Sequence, residues 1–348
     1  MMRSADAEGQ LMPSANQAPE AALDRFLRDQ GLLAPGERAT WHPLTGGVSS
    51  DIWRVDVDGR SWCVKRALGQ LKVAADWKAP ASRNTYEWAW MQFASAICPD
   101  NVPRPIAHDE RAGLFAMSFL APQEHPVWKQ QLLEGHVSAQ TAASVGAVLG
   151  RLHSASANNL AIANAFDTID NFYALRLEPY LVATAARHPQ LTPRLMELMA
   201  RTAGTRHALV HGDVSPKNIL VGPKGPILLD AECAWYGDPA FDLAFCLNHL
   251  LLKGLVQPPF RAMLSESFAV LVESYFQQVD WEPRSKLEMR AAQLLPALML
   301  ARVDGKSPVE YIAQEGQRDL VRRVATPLIA VPVESLAEVD RSWRRAID

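Results

Sequence analysis

The run His211-Gly212-Asp213-Val214-Ser215-Pro216-Lys217-Asn218 sets a histidine, an aspartate and an asparagine at fixed spacing, and Leu228-Leu229 then leads into a second aspartate, Asp230. Those residue types can move a phosphoryl group onto a hydroxyl. The attacking hydroxyl needs a carboxylate beside it, to orient it and take its proton, and Asp213 is the candidate catalytic base. Charge developing on the phosphate oxygens calls for a hard divalent cation. Oxygen donors such as Asn218 and Asp230 suit Mg2+, which keeps part of its own water. His211 is expected to hold the loop in shape. Alone, the stretch also reads as a surface turn in which Asp213 and Asn218 cap local backbone groups, since short motifs match by accident.

The neighbours of this motif weigh against accident. Its spacing is the H-x-D-x-x-x-x-N of the kinase catalytic loop. Lys65 ends the strand-like run Trp62-Cys63-Val64-Lys65, and Glu87 lies in the next helix-like segment. They stand as a phosphate-binding lysine and the carboxylate that positions it would stand. Without that order along the chain, a solvated strand lysine and a helix-surface glutamate would be the ordinary reading. The loop Gly46-Gly47-Val48-Ser49-Ser50 can offer backbone N–H groups to phosphate, although it is neither a Walker A sequence nor G-x-G-x-x-G.

Several elements must position these groups. Glu20 to Leu33 reads as a short amphipathic helix that packs on the next segment of the chain. Ile52 to Val57 and Ser61 to Arg66 are strand-like, and Asp58-Gly59 between them suits a tight hairpin turn. Arg83 to Ile97 is helix-like, and Arg104 to His108 and Leu114 to Leu120 are two further short runs. Helical periodicity dominates beyond Pro122, clearest in Ala139 to Ser154. Ala208 to Asp230 forms a hairpin-like island within it. Phe241 to Val256 is strongly apolar but carries Asp242, Asn248, His249 and Lys253, so it reads as a buried helix rather than a membrane span.

Composition excludes several classes of function. The chain has 348 residues, 48% hydrophobic and 21% charged, with a net charge of -3, and no long run of one sign marks a nucleic-acid groove or a membrane-binding face. Cys63, Cys98, Cys233 and Cys246 are scattered without metal-ligand spacing, as reduced core residues of a cytoplasmic protein would be. The first twenty residues lack the apolar core of a secretory signal. His125, His136, His188 and His249 have no ligand spacing and are expected to carry no chemistry.

The motifs together resemble the aminoglycoside phosphotransferase and choline kinase family, which has a protein-kinase-like fold. The matching pieces are Gly46 to Val55, Lys65, Glu87, the hinge-like Met117-Ser118-Phe119-Leu120, Gly150-Arg151-Leu152-His153, His211 to Leu220, and Asp230 to Leu243. Within that family, Asp230-Ala231-Glu232 followed by Trp235-Tyr236-Gly237 is similar to 5-methylthioribose kinases. The resemblance implies an α+β, two-lobed fold: a tail and helix over 1–40, a small antiparallel sheet with one helix over 41–117, and a mainly helical lobe over 118–348. It implies ATP between the lobes, with Gly46, Gly47, Ser49 and Lys65 at the phosphates, Glu87 bracing Lys65, and backbone near Ser118 and Leu120 at the adenine. Mg2+ would meet Asn218 and Asp230, with Glu232 touching the metal or its water. Asp242 would brace the catalytic loop, or serve as a plain helix N-cap.

The substrate is the least legible part. Only eleven residues separate Asp230 from Asp242, which leaves no room for the long activation segment that docks a peptide, so a small hydroxylated molecule is favoured over a protein. A silent nucleotide-binding pseudokinase would lack Asp213, Asn218, Asp230 or Lys65, and all are present. From residue 250 onward 3 Lys and 10 Arg face 13 Asp and Glu. That balance tilts the expectation from polycationic aminoglycosides toward a neutral or anionic, sugar-like metabolite. Arg302 is the candidate substrate handle, against the ordinary reading of an arginine on a solvated helix end.

Overall fold

The computed structural model describes residues 17–44, 50–67 and 83–348. Five antiparallel strands, β1 (Thr40–Leu44), β2 (Ser50–Val57), β3 (Arg60–Ala67), β4 (Pro105–Asp109) and β5 (Leu114–Ser118), form one sheet in the order β1-β2-β3-β5-β4. Asp58 and Gly59 turn β2 into β3 with φ of 45° and 74°. Both values are left-handed, as the hairpin turn that matches strand twist requires. Lys65 sits mid-sheet, opposite Ile52 on one side and Phe115 on the other. Helix α1 (Gln17–Asp29) and helix α2 (Arg83–Ile97) pack on this sheet. Leu23, Phe26 and Leu27 of α1 form a core of their own with Val55, Val64 and Ala116. Trp41 Nε1 donates to Asp24 at 2.8 Å and ties α1 to the first strand. The amphipathic helix read from the sequence is therefore part of the sheet's core.

The rest is mainly helical: α3 (Trp128–Leu133), α4 (Ala139–Ser156), α5 (Leu160–Ala165), α6 (Ile169–Phe172), α7 (Ala183–Arg187) and α8 (Thr192–Gly204) precede the site loops. After them come α9 (Ala240–Val256), α10 (Arg261–Phe276), α11 (Arg284–Asp304), α12 (Glu315–Ala330) and α13 (Leu336–Ile347). Between α6 and α7 the stretch Tyr173–Val182 is π-helical around Pro179, which has no N–H to continue an α-helical ladder. Gly146 and Gly150 let α4 approach α10 so closely that a Cβ on Gly146 would collide with the Leu271 carbonyl oxygen. Two ribbons interrupt the helices: β6 (Ala208–Val210) pairs with β9 (Trp235–Gly237), and β7 (Ile219–Gly222) pairs with β8 (Gly225–Leu228). The residues between β6 and β7, and between β8 and β9, include the His211–Asn218 loop and Asp230, the candidates read from the sequence. α9 is buried almost throughout, and no helix among the described residues is long and apolar enough to cross a membrane.

Candidate active site

The loop His211–Asn218 is held by its own backbone and by α9. Asp242, in the first turn of α9, accepts from the N–H of His211 at 2.7 Å and of Gly212 at 2.8 Å. Its place is therefore the brace; the N-terminal capping contact belongs to Asp238, whose carboxylate accepts from Ala240 N–H at 3.0 Å. Gly212 has φ of 79°, and a Cβ there would lie 2.7 Å from the Cys233 carbonyl oxygen, so both backbone conformation and space demand glycine. His211 accepts at Nδ1 from Asp213 N–H at 3.1 Å and donates from Nε2 to the Leu229 carbonyl at 3.1 Å. One nitrogen accepting and the other donating is the neutral imidazole. Burial agrees with that assignment by pushing the ring's pKa down against the pull of Asp242. His211 thus stitches the loop to the strand that delivers Asp230.

Asp213 is buried at the centre of a cluster of donors. Arg176 Nη2 lies 2.9 Å from its Oδ2, Asn218 Nδ2 2.7 Å and Lys217 Nζ 3.3 Å. Arg176, from the π-helical stretch, also donates to the Gly212 carbonyl. Although burial opposes its charge, Asp213 holds Arg176 well above the ordinary range, and Asp213 likewise raises Lys217. Nothing in the sequence singled out Arg176; a lone arginine in the apolar run Leu175-Arg176-Leu177 was the available signal.

A second cluster joins the sheet to these loops. Lys65 Nζ donates to Glu87 at 2.7 Å and pairs with Asp230, so residues from β3, α2 and the turn after β8 meet on one ammonium. Arg83, one helical turn before Glu87, donates from Nε to Glu232 at 2.9 Å. Burial pushes up the Glu87 carboxyl to about 7, offset in part by Lys65, and burial with the charge of Asp230 raises Glu232. Asp230 goes the other way. Burial alone would raise it, but Lys65 and then Lys217 hold its carboxyl well below the usual carboxylate range. Its φ of 69° is left-handed, a strained conformation for a non-glycine residue and one that concentrates at functional sites.

Asn218 and Asp230 are brought together by the backbone: Leu229 N–H donates to the Asn218 carbonyl at 2.9 Å, one residue before Asp230. With its Nδ2 given to Asp213, the amide of Asn218 has its oxygen as the ligand atom. Among the described residues no group of three or more His, Cys, Asp or Glu side chains forms a closed metal cage. That donor set fits Mg2+, which takes one or two protein oxygens together with phosphates and water. Lys65 and Arg83 are paired with the carboxyls of Glu87, Asp230 and Glu232, and Lys217 also acts on Asp230.

The remaining sequence candidates divide between the sheet edge, the helical lobe and the residues left undescribed. Gly46, Gly47 and Ser49 lie outside the described residues. Ser118 ends β5, and its N–H already donates to the Arg104 carbonyl at 2.9 Å, so a base at this edge would use its carbonyl or Leu120. Arg302 is not on a solvated helix end: it is 8% exposed and donates to the Tyr180 hydroxyl at 2.8 Å. A cavity of about 500 Å³ between α9, α10 and α13 holds none of these groups, and its Asp340 and Arg344 are paired with each other at 2.9 Å.

The class is set by the fold. Choline kinase LicA from Streptococcus pneumoniae superposes with a TM-score of 0.52 over 90% of this chain and 99% of that one, at 13% identity. Amicoumacin kinase hAmiN, solved with AMP-PNP, Ca2+ and Ami, gives 0.56 over 92% and 97%, at 15% identity. The architecture is the two-lobed, kinase-like α+β fold. Residues 40–275 match the model of the phosphotransferase enzyme family, and the chain belongs to that family. Methylthioribose kinase 2 of Oryza sativa subsp. japonica is 23% identical over 266 residues, 67% of this chain and 62% of that protein. The chain thus spans about three fifths of that relative's length.

Proposed function

We propose that this chain is an ATP- and Mg2+-dependent phosphotransferase that moves the γ-phosphoryl group to a hydroxyl of a small metabolite. One observation carries the reading: Lys65, Glu87 and Asp230 from three distant segments meet beside Asp213 and Asn218, and Leu229 couples the two halves through the backbone. Lys65, fixed by Glu87, would hold the nucleotide phosphates, together with the backbone of Gly46, Gly47 and Ser49. Backbone at Ser118 and Leu120 would take the adenine. Asn218 and Asp230 would hold Mg2+, whose charge neutralises the transferring phosphoryl oxygens. Glu232, anchored by Arg83, would orient metal-bound water. Asp213 orients the acceptor hydroxyl and takes its proton, while Arg176 and Lys217 keep the carboxylate fixed and close to the charge that develops. Four free, buried cysteines and a dependence on ATP suit a cytoplasmic enzyme. The likeness to a methylthioribose kinase supports a sugar-like acceptor.

The test is turnover against a panel of aminoglycosides, amino alcohols, hydroxy acids and pentoses. ADP release should depend on one class of acceptor and stop in EDTA. Release that ignores every acceptor, or continues without divalent metal, contradicts the proposal.

A further inference from the structure

α9 carries Phe245, His249 and Lys253 at intervals of four, which places them on one stripe of the helix. Isolated basic groups on a buried stripe are costly. Lys253 is fully buried and His249 is 5% exposed. Arg302 of α11 lies over the ring of Tyr180, and Tyr180 and His249 each pack against Phe245. Tyr311 joins the group: its hydroxyl lies 3.0 Å from His249 Nδ1, and Lys253 Nζ stands 4.4 Å from its ring centroid. Three polar atoms in this cluster have no hydrogen-bond partner: Lys253 Nζ, His249 Nε2 and Arg302 Nε.

The neighbouring charges are mostly of one sign. Lys129 and Lys217 also act on His249, and Glu310 is paired with Lys129. Burial first, and then Lys129, pushes Lys253 down to about 7, with Glu310 opposing; burial and four nearby cations hold His249 well below its ordinary value. The unliganded protein thus gathers basic groups that an incoming negative charge would relieve. Two residues, Phe245 and Arg176, stand between His249 and Asp213. Phe245, which touches His249, also lies under Arg176 at 5.8 Å, and Arg176 pairs with Asp213.

We propose that Lys253, His249 and Arg302 form the acceptor end of the site and bind an oxyanion, a carboxylate or phosphate, carried by the hydroxylated substrate. This rests on the kinase reading for its hydroxyl and names the chemistry at the substrate's other end. It also explains why a buried helix keeps two basic side chains that do not pair with a carboxylate. A bound oxyanion would accept from Lys253 Nζ and Arg302 Nε directly, and from His249 Nε2 in its protonated or N–H tautomeric form.

Two measurements decide it. The first compares matched acceptors with Mg-ATP: glycerate against glycerol, gluconate against glucitol, ribose 5-phosphate against ribose. The expected result is a preference for the anion of roughly tenfold or more in kcat/KM, carried mainly by KM. Which pair shows it separates carboxylate from phosphate. Lys253→Met and His249→Gln should each erase that preference through KM. Faster turnover of the neutral partners would overturn the inference and leave the kinase reading standing.

The second measurement needs no turnover. Millimolar inorganic sulfate, added with AMP-PNP and Mg2+ so that the nucleotide site is filled, should raise the Tm of the wild type more than that of Lys253→Met. If AMP-PNP does not bind, the kinase reading fails and the same comparison is made with sulfate alone. Lys253→Met should also raise Tm in the absence of anion, since a buried ammonium without a hydrogen-bond acceptor is replaced by an apolar chain of similar length. An equal sulfate response in both proteins, or a loss of stability in Lys253→Met, would show that Lys253 is a structural residue held by Tyr311.

Discussion

Replacing Asp213 with asparagine is expected to lower kcat by a factor of about 10²–10⁴ and to leave the affinity for AMP-PNP nearly unchanged. Asparagine keeps the shape of the side chain, so the loop retains Gly212, the brace from Asp242 and the His211 stitch to Leu229. It cannot accept the proton of the attacking hydroxyl, and it no longer offers a full negative charge to Arg176 and Lys217. Because the base acts in the transition state, kcat and kcat/KM for the acceptor should fall together. The check is steady-state kinetics in both substrates alongside calorimetric titration of AMP-PNP. A loss confined to nucleotide affinity would place Asp213 at the phosphates instead.

Lys65→Met should have the next largest effect, and on two quantities at once. Nucleotide affinity should fall, because the phosphates lose their buried ammonium. Stability should fall by roughly 3–5 kcal/mol, the cost of removing one partner of a buried ion pair, since the Lys65 side chain is only 3% exposed. The pH dependence follows from Glu87. Its folded carboxyl, near 7, lies above the unfolded value, so the folded protein holds a proton over the window between them. Within that window and below it the folded carboxyl is neutral and loses little with its lysine. Above pH 7 the variant must bury an unpaired carboxylate or take up a proton. Urea titrations should therefore show a larger deficit at pH 8 than at pH 5.5, and an equal deficit at both would rule out this role for Glu87.

The sequence was most informative where function constrains residue type and spacing together. The catalytic loop, the hairpin at Asp58-Gly59 and the helix carrying Glu87 could each be read from local chemistry, because a left-handed turn or a fixed H-x-D-x-x-x-x-N spacing leaves few alternatives. Strand β1 is not legible as a strand. Its Pro43 argues against a sheet, and an edge strand that leaves most of its residues exposed shows no alternation. β9 is three residues long and gains its identity only from pairing with β6. Arg176 and Arg83 stay hidden for a different reason. Each reaches its carboxylate across dozens of residues, and no periodicity records a contact between a π-helical turn and a loop. His249 and Lys253 are visible as interruptions of an apolar helix, which argues against a membrane span. Their clustering with Arg302 depends on how α9 packs against α11, which a single sequence does not encode locally.

The central claim is that Lys65, Asn218 and Asp230 form one nucleotide and metal site, and calorimetric titration of AMP-PNP tests it without knowledge of the acceptor. With Mg2+ present, the wild type should bind one equivalent, and EDTA or Asp230→Asn should each weaken binding by roughly tenfold or more, the scale of one lost charge-assisted contact. Binding that is absent in the wild type, or that is unchanged by both EDTA and Asp230→Asn, would contradict that claim.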